Sequence, residues 1–144
     1  FNLAHSRDLA VCAVARGAEV GADVEAIRPM PDAERIAARF FSAREQAMLR
    51  EVPPGRREEA FVLGWTRKEA YLKAQGTGLS RPLSSFSVSL RPGEPARLLD
   101  VEGQPGEAAR WSLVGLSPAP GYAAALAVEG SIRRLVQWSW VPGG

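Results

Sequence analysis

The sequence predicts an α+β domain in which a mostly antiparallel sheet packs against a long helix. Strand-like apolar segments lie towards both ends of the chain, and the helical patterns are bunched between residues 32 and 75. Strands and helices therefore do not alternate as a doubly wound parallel sheet requires. The 144 residues have room for one domain of ordinary size, read here as a single domain over 1–144.

In chain order, residues 9–14 (LAVCAV) read as a buried strand, with Cys12 a small core residue rather than a nucleophile. Residues 18–25 (AEVGADVE) contain a second strand, stopped by Pro29 and Pro31, and DAERIAARFF then reads as a short helix. Ser42 and Glu45 have capping-box spacing: the hydroxyl can accept from the backbone three residues on while the carboxylate reaches back. A helix from Ala43 to about Glu51 should follow, ended by Pro53 and Pro54. Residues 57–75 are helical throughout, with Gly76 at the place of a left-handed cap and Gly78 in the turn beyond.

The remainder is strand-like. SFSVSL at 85–90 alternates, and ARWSLVGL at 109–116 is a plausible partner. GYAAALAVEG at 121–130 is apolar and bounded by glycines, though so alanine-rich a run suits a helix equally well. LVQWSWV at 135–141 completes the set, and Trp111, Trp138 and Trp140 are expected to pack against neighbouring elements. The Pro/Gly stretches at 52–55 and 91–95 are loops.

Composition removes several function classes. With one cysteine and one histidine, neither an internal disulfide framework, nor a cysteine-built zinc site, nor a multi-histidine centre can form, so any metal must be held mostly by oxygen. No apolar run is long enough to span a bilayer and nothing resembles a signal peptide, so a cytoplasmic location and no membrane partner are expected. The formal charge of +2 comes without any Lys/Arg block or basic stripe, which argues against nucleic acid. It is compatible with an anionic small molecule or an acidic protein partner. Arginine outnumbers lysine sixteen to two, and both lysines, Lys68 and Lys73, fall in WTRKEAYLK. Lysine is a compact point charge where arginine is a planar fork, so the two do not substitute at a reacting site.

Asp23 and Glu25 stand two apart on a strand and so share a face. Taken alone they are two solvated carboxylates, but Val20, Gly21, Ala22 and Val24 give them a tightly packed setting. Gly21 and Ala22 also leave room for something to approach the backbone. Trp65, Glu69 and Lys73, at i, i+4 and i+8, share one helix face. The plain alternative is a surface Glu–Lys pair; the tryptophan argues that the face is partly buried. Three carboxylates from two elements suit a hard cation such as Mg²⁺, and a lysine one turn beyond suits a phosphate beside it.

Several blocks match segments of one known family. Phe1–Ser6 (FNLAHS) resembles an FNLSHS segment, with Ala4 in place of the usual serine. Val20–Glu25 resembles (I/V)GxDxE, and Arg39-Phe40-Phe41-Ser42 with Glu45 resembles RFFSxxE. Residues 65–79 (WTRKEAYLKAQGTGL) match W(S/T)xKEAxxKxxGxGL, the most specific block. Phe86-Ser87-Val88 and Gly121-Tyr122 agree in order and spacing. Together these blocks resemble the 4′-phosphopantetheinyl transferases, specifically the C-terminal half of the two-repeat type that activates peptide and polyketide synthetases.

The resemblance implies Mg²⁺-dependent transfer of 4′-phosphopantetheine from coenzyme A to a serine of an acyl or peptidyl carrier protein, releasing adenosine 3′,5′-bisphosphate. It implies Asp23, Glu25 and Glu69 as ligands of Mg²⁺, with Mn²⁺ a substitute, and coenzyme A as co-substrate. Glu69 or a metal-bound water would be the general base, and Lys73 would neutralise the departing phosphate. His5 would bind the 3′-phosphate, with Arg28 near it and Lys68 on phosphate. Trp65 is expected to pack so as to fix the catalytic helix, and Ser42 and Glu45 to cap, with contact between Glu45 and the site left open. The family's site lies between two repeats or two subunits, so the chain, lacking Met at its start, is expected to need a missing N-terminal half or self-association. The competing expectation is a non-catalytic half-domain that binds coenzyme A or carrier protein without turning over.

Overall fold

The fold is described from a computed structural model covering residues 1–76 and 81–141. Strands β1 (Asn2–Ser6) and β2 (Leu9–Ala13) form an antiparallel hairpin, and β3 (Val20–Ala26) follows. The helices come next: α1 (Ala33–Phe40), α2 (Ala43–Glu51) and the nineteen-residue α3 (Arg57–Gln75). Strands β4 (Phe86–Val88), β5 (Leu98–Val101), β6 (Trp111–Leu116) and β7 (Tyr122–Glu129) follow. Among the described residues every strand pair is antiparallel, in sheets ordered β1-β2, β3-β7-β6 and β4-β5. The α+β prediction is met, but by three small sheets rather than one.

The central sheet is sandwiched. Residues 20, 22 and 24 of β3 face the hairpin, where Val20, Ala22 and Leu126 pack with Ala13, and Val24 and Ala124 with Ala4. The other face meets α3, and Gly21 explains how closely: a Cβ there would overlap the Ala70 carbonyl oxygen and the Ala74 amide nitrogen. Helix backbone therefore lies directly on strand backbone. Ala123, Ala125 and Ala127 of β7 line the same approach, which is why an alanine-rich run is a strand here. Small side chains leave α3 room, and β3 and β6 on either side supply the hydrogen bonds.

Helix α3 is enclosed on several sides. Phe61, Ala60 and Val62 join α1 and α2 around Phe41, Met48 and Leu49, while Tyr71, Ala70 and Ala74 join β4, β5 and β6. The capping box forms as expected, with Ser42 Oγ accepting from the Glu45 amide and Glu45 Oε1 from the Ser42 amide. Gly76 caps α3 at φ +65°; Gly78 lies outside the described residues.

Three expectations are corrected. Residues 135–141 form no strand, and Trp138 and Trp140 are 89% and 81% exposed; alternation alone does not make a strand where no sheet edge pairs with it. Cys12 is exposed, not core, because it shares the hairpin's outer face with Leu3 and Val14. Strands β1 and β5 were not anticipated. Trp111, by contrast, is buried, its indole N–H donating to Glu107 at 2.8 Å.

Candidate active site

The close crossing at Gly21 determines what meets what. Strand alternation turns Asp23 and Glu25 to the α3 side of the sheet, beside Ala125 and Ala123, whose methyl groups occupy little space there. From α3, Lys73 Nζ donates to the Ala22 carbonyl at 3.0 Å and to Asp23 Oδ1 at 3.2 Å. Asp23 is only 8% exposed, and its Oδ2 is buried without a hydrogen-bond partner among the described residues. Burial pushes the Asp23 carboxyl up to about 7; Lys73 opposes that shift, while Glu25 and Glu69 reinforce it. Glu69 is likewise raised by burial and by Glu25, against Lys73. The three carboxylates thus share one electrostatic neighbourhood, with one lysine among them.

They do not yet make a closed ligand set. Among the described residues, no three His, Cys, Asp or Glu side chains stand together as a metal site. Asp23 Oδ1 is engaged by Lys73 at 3.2 Å. The donor chemistry nevertheless fits a hard cation: all oxygen, from two facing elements, with a buried carboxylate oxygen left without a partner.

The other expected residues separate. Trp65 packs as anticipated, edge-on to Phe40 at 5.9 Å between ring centroids and stacked on Phe61 at 6.1 Å. Arg28 is exposed and, with Glu25, Met30, Ile36, Phe61 and Trp65, lines a largely apolar cleft of about 200 Å³ that opens beside Glu25. His5 is exposed on the outer face of the hairpin, across the sheet from α3, and is not brought to the Asp23 group.

Lys68 departs most from expectation. It is 0% exposed, and its Nζ donates to Glu45 Oε1 at 2.8 Å, Glu45 Oε2 at 3.0 Å and the Phe86 carbonyl at 2.6 Å. An amine so enclosed meets no phosphate, and the expected phosphate contact is withdrawn. Glu45, expected chiefly to cap, is the acceptor at the centre of this cluster. Neither role shows in the sequence, because the partners lie on separate elements with no spacing rule to link them.

A family model described as the 4′-phosphopantetheinyl transferase superfamily matches residues 19–127, which include β3, all of α3 and most of β7. The chain belongs to that superfamily. It is 43% identical over 130 residues to the 4′-phosphopantetheinyl transferase HetI of a Nostoc species, covering 90% of this chain and 52% of that protein. Over 98 residues it is 46% identical to the 4′-phosphopantetheinyl transferase psf-1 of Bacillus pumilus, covering 68% of this chain and 41% of that one. The chain thus spans about half the length of these relatives, or less. Its fold resembles the crystal structure of the holo-[acyl-carrier-protein] synthase of Thermotoga maritima, with a TM-score of 0.60, 27% identity, and coverage of 79% of this chain and 64% of that one. No helix among the described residues is long and apolar enough to cross a membrane.

Proposed function

We propose that this chain carries the catalytic face of a 4′-phosphopantetheinyl transferase of the two-repeat type, as its C-terminal half, and that it moves 4′-phosphopantetheine from coenzyme A to a carrier-protein serine. The observation that carries this reading is the joining of Asp23 and Glu25 from β3 to Glu69 and Lys73 from α3, with Asp23 Oδ2 buried and unpartnered.

Asp23, Glu25 and Glu69 would hold Mg²⁺, whose contribution when bound is to neutralise charge on the coenzyme A pyrophosphate. Lys73, 32% exposed in its side chain, can leave Asp23 and turn its ammonium to the departing phosphate. Glu69, its carboxyl raised by burial, takes the serine proton as Oγ bonds to phosphorus and the bond to adenosine 3′,5′-bisphosphate breaks. His5 and Arg28 are proposed to bind the nucleotide's phosphates. His5 would then work across an interface, since the outer face it shares with Phe1, Leu3 and Val14 is exposed and apolar. That face supports completion of the site by an N-terminal half or a second copy. The alternative of a non-catalytic half is not favoured, because the relatives above are named transferases and the reacting residues are present.

The test is the intact mass of an apo carrier protein after incubation with the protein, coenzyme A and Mg²⁺. A gain of one phosphopantetheine is expected, lost with EDTA and with Asp23→Ala. A gain that survives both controls overturns the site.

A further inference from the structure

We infer that the buried Lys68–Glu45 pair is a positioning device that sets the rotation of α3 and thereby aims Glu69 at the carboxylates of β3; the inference rests on the transferase reading above. Lys68 has three N–H donors and three acceptors within 3.0 Å, two on Glu45 and one on the Phe86 carbonyl, so its direction is fully specified. Its Nζ also lies 4.0 Å from the Phe86 ring centroid. Glu45 is equally committed: Oε1 accepts from the Ser42 amide and Oε2 from the Val88 amide, both at 2.8 Å. The pair therefore ties α3 to the start of α2 and to β4 at one point.

Lys68 immediately precedes Glu69, and successive residues on a helix are offset by a fixed angle, so pinning one direction fixes the other. On the opposite side of α3, Gly21 sets only how near the helix comes to β3. Distance is thus set at Gly21 and rotation at Lys68. A buried ion pair of this kind is a poor choice for stability, since an apolar pair of similar volume often serves as well or better. Its value here lies in admitting a single geometry.

The experiment compares the full chain with the double variant Lys68→Met/Glu45→Gln, which removes both buried charges and keeps a capping acceptor. Circular dichroism melts confirm the fold, and two quantities are then read. Mn²⁺ titrated into the protein alone, followed by calorimetry, should bind at least tenfold more weakly. In carrier modification, kcat should fall at least tenfold while KM for coenzyme A stays within about twofold. A tenfold rise in KM at unchanged kcat would make Lys68 a phosphate ligand and overturn the inference. So would a folded double variant with unchanged Mn²⁺ affinity and kcat, which would leave the pair as packing. If the double variant does not fold, Ser42→Ala, which loosens the bonds around Glu45, should give a smaller change with the same split, and a shift in KM alone would count against the inference. If the unaltered protein transfers nothing to any carrier, the Mn²⁺ titration alone decides the positioning role.

Discussion

Lys68 and Lys73 lie on the same helix, and each meets a carboxylate from another element, but the two pairs are built in opposite ways. Lys68 and Glu45 are both 0% exposed, and every donor and acceptor between them is used. Lys73 and Asp23 are 32% and 11% exposed in their side chains, joined by one longer contact, and Asp23 keeps an oxygen with no partner among the described residues. A saturated pair holds a shape; an unsaturated one holds a place for something else. Motif membership does not distinguish them, since both lysines belong to the same block.

The contrast can be broken in three ways. The largest effect is expected from Lys68→Ala, which strands the Glu45 charge in the interior and should cost about 3–5 kcal/mol in urea unfolding. A loss under about 1 kcal/mol would mean that Glu45 is not held as described.

Next is the pH dependence of stability in EDTA. Asp23, whose carboxyl rises from 3.8 to about 7 on folding, binds its proton more tightly folded than unfolded. Its contribution is therefore full below about pH 4 and is lost as pH rises through about 7, a loss on the order of 2–4 kcal/mol. Asp23→Asn should remove that slope and leave the metal-free protein more stable than the unaltered one at pH 8. Denaturant midpoints at pH 4 and pH 8 check it, and parallel curves for the two proteins would refute it.

Smallest in stability is Lys73→Met. This half-open pair should give up no more than about 1 kcal/mol, while carrier modification falls at least a hundredfold. Thermal melts beside turnover separate the two, and equal losses in both would erase the distinction.

Much of this was legible in the sequence. The Ser42–Glu45 box, the α3 span and the Gly76 cap rest on local rules, and local rules read well from one chain. Asp23 with Glu25, and Glu69 with Lys73, were placed on shared faces by periodicity, and Gly21 signalled a close approach. What failed was non-local. Lys68 and Glu45 lie 23 residues apart on different helices, and no period connects them. Strand β1 was hidden by polar Asn2 and Ser6, whose side chains accept from the Ala22 and Ala26 amides of β3, a job no alternation pattern announces. The segment at 135–141 erred the other way, with a strand's pattern and no edge to pair with.

The four tryptophans divide unevenly between interior and water. Trp111 is buried and hydrogen-bonded, Trp65 is stacked among phenylalanines, and Trp138 and Trp140 stand in solvent. Indole emission moves to shorter wavelength, and escapes soluble quenchers, when the ring leaves water. The chain therefore carries its own optical label: an iodide-quenchable, red-shifted component from the tail over a protected one from the core. Whatever comes to lie on the last residues will announce itself in that red component without any dye being attached.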